Sequence, residues 1–203
     1  MTKIKLCGLG TIEAIEEVNR LMPDYAGFIC SAGFRRSVDE EKLRTLKSAL
    51  DPRITAVGVF VNEPMDRIVS LLDQGLIDAV QLHGHETDSE IDALKQRRNC
   101  MVLKAVKIDS PEAVKRAEQS HSDLVVADGG TGEGKTFDWS LLESLKRPFL
   151  LAGGLTPENV REAIGQIHPY GVDTSSGIET GGIKDPVKMR RFVGRIREMK
   201  YDE

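Results

Sequence analysis

Cysteine is scarce in this sequence, and its few thiols lie far apart. Of the 203 residues, three are cysteine, namely Cys7, Cys30 and Cys100. This spacing matches neither a disulfide framework nor a cluster of metal ligands, and it is typical of a protein in a reducing cytoplasm. We therefore expect no bound metal and a cytoplasmic location.

Long hydrophobic runs and an excess of positive charge are also lacking. No apolar run approaches the ~18 residues of a membrane-spanning helix. The first residues, MTKIKLCG, contain no apolar core of a secretory signal. The net charge is −4, with 28 basic and 32 acidic residues, so the chain has no basic footprint for nucleic acid or for an anionic membrane. We expect neither of these partners.

What the sequence does contain is a regular alternation of short aliphatic runs with longer stretches of helical spacing. The runs predict strands at Ile4–Cys7, Tyr25–Ile29, Thr55–Phe60, Ala79–Leu82, Met101–Ala105, Leu124–Ala127, Phe149–Ala152 and Gly171–Asp173. The stretches predict helices near residues 11–22, 39–49, 64–74, 87–97, 111–119, 138–146, 157–166 and 186–199. Four of these begin with a proline, which the first helical turn accepts, at Pro64, Pro111, Pro157 and Pro186.

The strand runs are near-continuously apolar, as in AVGVF and DLVVA, which is typical of parallel strands covered by helices. Eight units of about 25 residues predict a single α/β domain over residues 1–203, a (β/α)₈ TIM barrel, although ~250 residues is more usual for that fold. A doubly wound open sheet is the alternative. It would carry a G-x-G-x-x-G loop after its first strand, and GLGTIEA does not have that spacing.

Glycines and titratable side chains collect just after the predicted strands, where a barrel has its active site. After strands seven and eight, LLAGGL and VDTSSGIE bring Gly153 and Gly154 close to Ser175 and Ser176. Barrels frequently bind a phosphate group with these two loops, through backbone N–H groups and the N-terminus of a short helix. We therefore expect a phosphorylated small-molecule substrate.

Four further residues are candidates for proton chemistry and charge recognition. Cys7 ends the first strand in KLCGLG, and Asp128 ends DLVVAD, where partial burial is expected to raise its pKa and suit it to general-acid catalysis. Arg36 in GFRRS could bind a substrate carboxylate, and His83 in VQLHGHE could support the acid–base chemistry. The plainer interpretations are a small buried thiol, a turn aspartate, a solvated arginine and a packed loop histidine.

A nucleotide-binding loop is a competing interpretation of residues 129–136. The sequence GGTGEGKT meets the spacing G-x-x-x-x-G-K-[ST] and follows a predicted strand. However, it leads into FDW rather than into a long helix, and no second nucleotide-binding feature accompanies it. We interpret it as a glycine-rich loop. Lys135 and Asp138 are expected to close this loop at the start of a helix that begins at Trp139.

In its motifs the chain resembles the phosphoribosylanthranilate isomerase family of tryptophan biosynthesis. The resemblance spans nearly the whole length and rests on KLCGLG, GVFVN, VQLHG, LKAV, GKTFDW, LAGGLTPENV and GVDTSSGIE, in that order. It implies an enzyme without a cofactor, present as a monomer or a homodimer. Its reaction would be the Amadori-type conversion of N-(5-phosphoribosyl)anthranilate into 1-(2-carboxyphenylamino)-1-deoxyribulose 5-phosphate.

The resemblance also implies roles for individual residues. Cys7 would be the general base, with its pKa lowered by a nearby positive end or by the cationic intermediate, and Asp128 would be the general acid. Arg36 would bind the anthranilate carboxylate, with Arg35 as the alternative because GFRRS departs from the family's serine-proline-arginine-tyrosine pattern. Asp173 would lie near the sugar, and the glycine and serine pairs would bind the phosphate.

Two other functions remain as alternatives. The first is a related barrel that isomerises another phosphoribosyl compound, as in the histidine pathway. Those enzymes use paired aspartates at the ends of the first and fifth strands, whereas this chain has Cys7 at the first. The second is a phosphate-binding barrel without catalysis, against which the presence of both Cys7 and Asp128 argues.

Overall fold

The computed structural model describes residues 1–129 and 137–199, and within these ranges eight parallel strands close into a barrel. The strands are β1 Lys3–Cys7, β2 Tyr25–Ile29, β3 Thr55–Phe60, β4 Ala79–Leu82, β5 Met101–Lys107, β6 Leu124–Asp128, β7 Phe149–Leu151 and β8 Gly171–Thr174. Their order around the barrel follows the chain, and β8 pairs with β1 to complete the ring. The predicted (β/α)₈ barrel is therefore confirmed, and each predicted strand end lies within two residues of the observed one.

Helices follow most of the strands and cover the outside of the barrel. The described part of the chain contains the α-helices α1 Ile12–Leu21, α2 Glu40–Ala49, α3 Met65–Asp73, α4 Asp88–Arg97, α5 Pro111–Gln119, α6 Val160–Ile167 and α7 Pro186–Glu198. Pro111 and Pro186 are first helical residues, as predicted, whereas Pro64 directly precedes α3. No helix in these ranges is long and apolar enough to cross a membrane.

Two predicted helices differ from the structure. In place of a helix over 138–146 there is a short 3₁₀ helix, Trp139–Ser144, which Asp138 caps by accepting a hydrogen bond from Ser140 N. The helix predicted from 157 begins at Val160 instead, because Pro157 lies in a preceding turn. Residues 130–136, which include Lys135 and most of the glycine-rich loop, lie outside the described residues.

A small antiparallel hairpin near the end of the chain was not predicted. Its strands are β9 Glu179–Thr180 and β10 Ile183–Lys184, and the short 3₁₀ helix Ser176–Ile178 connects β8 to it. Two-residue strands are too short to show a periodic pattern in the sequence. This hairpin borders the candidate site described below.

The strands are buried on both faces, which explains why their sequences are mostly apolar rather than alternating. In β1, Ile4 and Leu6 belong to the cluster packed against the helices. Lys5 and Cys7 alternate with them and therefore point into the barrel. Apolar side chains such as Val57 fill much of that interior. Two polar side chains thus enter the barrel from its first strand.

Candidate active site

A cavity of about 420 Å³ lies at the carboxyl ends of the strands. All nine residues selected from the sequence as site candidates line it. They are Cys7, Arg36, His83, Asp128, Gly153, Gly154, Asp173, Ser175 and Ser176. Apolar side chains complete the wall, among them Phe34, Val59 and Leu155. A second cavity, of about 750 Å³, adjoins the first at His83 and Asp128 and extends along the residues that follow β3 to β5.

Two glycines allow close contacts around the end of β1, one of them at the thiol of Cys7. Gly27 on β2 is the partner of Cys7 in the sheet, and a Cβ there would lie 2.7 Å from Cys7 Sγ. Gly8 has a φ of 71°, and its Cβ would lie 2.6 Å from Arg36 Cδ and 2.8 Å from Ser175 Oγ. Contacts this short exclude a side chain at both positions. The glycine after Cys7 therefore allows Arg36 and Ser175 to approach the end of β1.

Lys5 lies two residues before Cys7, on the same face of β1, and was not identified from the sequence. It is fully buried, and its Nζ donates a hydrogen bond to Asp173 Oδ2 at 2.8 Å. Burial outweighs the charge of Lys5 and raises the pKa of Asp173. Among the described residues, none donates a hydrogen bond to the other oxygen, Asp173 Oδ1. Asp173 Oδ1 is therefore a buried acceptor that has no donor among the described residues.

Burial also raises the pKa of the Cys7 thiol above its ordinary value, although the charge of Lys5 acts in the opposite direction. The expectation of a pKa lowered by a nearby positive end is therefore wrong for the protein without substrate. The physical reason is that Cys7 lies inside the barrel, where loss of hydration disfavours a thiolate more than the charges of Lys5 and Lys184 stabilise it.

The raised pKa of Cys7 predicts an alkaline reactivity profile. Because only the thiolate reacts with iodoacetamide, alkylation should accelerate with pH and have its midpoint above ~8.5, the ordinary thiol pKa. Mass spectrometry of the Cys7 peptide after timed alkylation would measure it. Cys30 is an internal control, since burial raises its pKa to about 12. A Cys7 midpoint below the ordinary value would contradict the prediction.

His83 holds one oxygen of Asp128 at the end of β6. His83 Nε2 lies 3.4 Å from Asp128 Oδ2. On the other side of the ring, Gln81 Nε2 lies 2.9 Å from His83 Nδ1. The tautomer that accepts from the Gln81 amide at Nδ1 carries its proton on Nε2, which faces Asp128. The expectation that the pKa of Asp128 is raised stays a prediction.

The loops after β7 and β8 are fixed against each other. Gly153 and Gly154 have φ values of 88° and 68°, a region that favours glycine. Asn159 donates to Gly154 O at 2.9 Å, and Thr174 Oγ1 donates to Leu155 O at 2.7 Å. A Cβ on Gly177 would lie only 1.9 Å from Leu155 O. The glycine of SSGIE is thus required by the neighbouring loop.

Of the two adjacent arginines, Arg36 lines the cavity and Arg35 does not. The side chain of Arg35 is 55% exposed and donates to Gly182 O in the β9–β10 hairpin at 2.7 Å. Both arginines also donate to the carboxylate of Glu179. Glu179 and Lys184, which the sequence reasoning did not select, therefore belong to the surroundings of the site.

A closed barrel with a polar cavity at the carboxyl ends of its strands has the architecture of a (β/α)₈-barrel enzyme. Comparison with known proteins specifies which one. The model of the N-(5'-phosphoribosyl)anthranilate isomerase family matches residues 4–195. The chain belongs to this family, whose members are isomerases of tryptophan biosynthesis, and neither alternative function is favoured.

Individual relatives match over almost their whole length. The N-(5'-phosphoribosyl)anthranilate isomerase of Endomicrobium trichonymphae is 43% identical over 201 residues, which cover 98% of this chain and 100% of the relative. That of Caldanaerobacter subterraneus subsp. tengcongensis is 42% identical over 206 residues, which cover 97% and 98%.

Solved structures agree with the sequence comparison. The phosphoribosyl anthranilate isomerase of Thermotoga maritima has 33% identity and a TM-score of 0.88, covering 98% of this chain and all of that one. A structure of such an isomerase in complex with reduced 1-(o-carboxyphenylamino)-1-deoxyribulose 5-phosphate has 32% identity, a TM-score of 0.87 and the same coverage. A further structure is of monomers generated from the dimeric Thermotoga maritima enzyme.

Proposed function

We propose that the family's isomerase reaction takes place in the 420 Å³ cavity, with Cys7 as general base and Asp128 as general acid. The substrate is N-(5'-phosphoribosyl)anthranilate, and the product is 1-(2-carboxyphenylamino)-1-deoxyribulose 5-phosphate. The observation that carries the proposal is that one cavity is lined by a thiol, a carboxyl group, an arginine, the glycine pair after β7 and the serine pair after β8. Its volume lies within the ~300–1,000 Å³ of small-molecule sites.

The chemistry requires an acid and a base in sequence. Asp128 donates a proton to the ring oxygen of the ribose, and the C–O bond breaks to give an open-chain protonated Schiff base. The Cys7 thiolate then removes the proton from the adjacent sugar carbon, which leaves a neutral enolamine. Proton transfer to the first sugar carbon and loss of the enol proton give the ketone, so the reaction is a net isomerisation.

The environment of Cys7 suits this role despite its raised pKa. A thiol with a high pKa gives a stronger base once it is ionised. The protonated Schiff base is a cation, and a positive charge beside a thiol favours the thiolate. Since that charge develops only after the ring has opened, the base is strengthened at the step that uses it. Lys5 contributes a permanent positive charge on the same face of β1.

The remaining groups of the cavity match the ends of the substrate. Arg36 binds the anthranilate carboxylate, and apolar side chains such as Phe34 and Leu155 contact the aromatic ring. The backbone of Gly153 and Gly154, together with Ser175 and Ser176, binds the phosphate, and Asp173 and His83 face the sugar. A cytoplasmic location and a monomeric or homodimeric state stay predictions.

A fluorescence assay tests the proposed function directly. Phosphoribosylanthranilate is unstable enough that it is best generated in the cuvette, from anthranilate and phosphoribosyl pyrophosphate by a transferase. Addition of this protein should then remove the anthranilate-type fluorescence, whereas addition of the Cys7→Ser variant should not. Absence of turnover by the unmodified protein would overturn the proposal.

The phosphate position can be tested separately from the chemistry with Gly154→Asp. A carboxylate there would lie beside the expected phosphate, and like charges in contact cost several kcal/mol. We therefore expect KM to rise by at least about tenfold, and inorganic phosphate to inhibit the variant less than the unmodified protein. Steady-state kinetics with phosphate as competitor would measure both effects.

Gly75→Asp provides the matched control. Gly75 has nearly the same backbone conformation, with a φ of 66°, but it lies in open space and does not line the cavity. This variant should lose stability through backbone strain while its KM stays unchanged. If Gly154→Asp also leaves KM unchanged, the phosphate binds elsewhere.

A further inference from the structure

Glu179 is the centre of a charged cluster beside the cavity. Its side chain is only 6% exposed. It accepts hydrogen bonds from Arg36 Nε at 2.6 Å, Arg36 Nη2 at 2.9 Å, Arg35 Nη2 at 2.7 Å and Lys184 Nζ at 2.8 Å. Although burial alone would favour the neutral acid, these bonds lower the pKa of Glu179 to about 2. Glu179 is therefore an anion at any physiological pH.

The two bonds from Arg36 fix the plane of its guanidinium group. They occupy Nε and one hydrogen of Nη2, which form one edge of the planar fork. Within the described ranges, Nη1 of Arg36 makes no hydrogen bond to the protein. Since Arg36 lines the cavity, the edge formed by Nη1 and Nη2 is the one available to a ligand. That edge matches the two oxygens of a second carboxylate.

Lys184 extends the cluster to the loop after β8. Its side chain is 5% exposed, and it lies opposite Glu179 in the β9–β10 hairpin. Lys184 Nζ donates to Ser175 O at 2.8 Å and lies 3.2 Å from Ser175 Oγ. The hairpin therefore connects Arg36 to Ser175, its neighbour across Gly8 at the end of β1.

The cluster also carries an excess of positive charge. Three cationic side chains share the carboxylate of Glu179, so the region is net positive next to the cavity. Such a field favours a ligand that carries negative charge at both ends. An aryl carboxylate at Arg36 and a phosphate near Ser175 meet this condition.

We propose that Glu179 is a positioning residue that selects substrates with an aryl carboxylate. It orients Arg36 so that the second edge of the guanidinium meets the carboxylate, while Lys184 attaches the hairpin that carries Glu179 to the loop after β8. The inference rests on the proposed function of the cavity. The contrasting role is a purely structural one, in which Glu179 only attaches the hairpin to the barrel.

Glu179→Gln tests the proposal, since it keeps the size of the side chain but removes its charge and one of its acceptors. We expect KM to rise by about tenfold, as for loss of one well-placed charged contact, while kcat changes by less than about threefold. Free anthranilate, used as a competitive inhibitor, should bind more weakly by a similar factor. Steady-state kinetics and inhibition by anthranilate would measure these effects.

A double-mutant cycle separates positioning from a structural role. If Glu179 acts through Arg36, Glu179→Gln should cost nothing further in KM once Arg36 has been replaced in Arg36→Met. An equal cost in both backgrounds would overturn the proposal. Glu179→Asp, whose shorter side chain keeps the charge but reaches fewer partners, should give an intermediate KM, and it replaces Glu179→Gln in the cycle if that variant does not fold.

Glu17→Gln is the matched control. Glu17 is also a buried carboxylate with two arginine partners, Arg20 and Arg190, but it does not line the cavity. The Glu17→Gln variant should have a lower Tm than the unmodified protein and the same KM. Failure of the proposed function and failure of the positioning role give different results. If the unmodified protein shows no turnover, the proposed function is overturned. If it turns over normally and Glu179→Gln has an unchanged KM, only the positioning role is overturned.

Discussion

Replacing Cys7 by serine should lower kcat by roughly 10²–10⁴, the usual contribution of a positioned acid–base group, while the protein still folds and binds its substrate. Serine is similar in size to cysteine, so the close packing against Gly27 is kept. Its hydroxyl is a far weaker acid than a thiol, so no base forms at an accessible pH. Turnover by fluorescence, combined with binding of a substrate-like inhibitor, would measure the two effects separately.

Cys30→Ser is the control for this substitution. Cys30 follows β2 directly and is also buried, but it does not line the cavity. Its serine variant should retain the kcat of the unmodified protein. If Cys7→Ser also keeps a near-native kcat, Cys7 is a packing residue and the base is another group.

Asp128→Asn should cause a loss of similar size in kcat, again roughly 10²–10⁴. The ring oxygen of a ribose leaves poorly without a proton, and asparagine can donate a hydrogen bond but cannot transfer its proton. The shape of the side chain and its place beside His83 are kept, so KM should change little. The kcat and KM of the variant, measured over a range of pH, would check this prediction.

The pH dependence gives a second readout. For the unmodified protein, kcat/KM should rise as Cys7 loses its proton and fall as Asp128 loses its own, with the observed pKa values belonging to the coupled pair. The alkaline fall should disappear in Asp128→Asn. Asp123→Asn, a substitution next to the opposite end of the same strand, should keep a native kcat. If Asp128→Asn retains more than about a tenth of native kcat, His83 becomes the next candidate acid.

The barrel could be predicted because its signal is local. Strands buried on both faces have near-continuous apolar runs, and β3 and β6 show this in AVGVF and LVVA. The helix predicted over 138–146 was wrong, because the 3₁₀ helix Trp139–Ser144 covers only part of that stretch of helical spacing. The hairpin from Glu179 to Lys184 has strands of two residues and is held by contacts to distant loops, which no periodicity records.

The cavity residues could be found because strand ends in a barrel converge, whereas their charged partners could not. Glu179 is 143 positions from Arg36 in the sequence, and Lys5 is 168 positions from Asp173. A lysine inside the apolar run KIKLC is the one signal that could have revealed the second pair, since it lies on the same strand face as Cys7. The direction of the pKa shift of Cys7 depends on burial, which the sequence does not state.

The bond between Lys5 and Asp173 joins the first strand of the barrel to the last, so it spans most of the chain. Contacts between such distant residues carry the largest loss of chain entropy and form late when a protein refolds. Cys7 and Asp173 meet only when this junction forms. During refolding, the recovery of activity therefore reports closure of the barrel between β1 and β8. It should occur later than the recovery of helical structure. A chain whose β1 and β8 have separated would keep most of its helices but would not have an assembled active site.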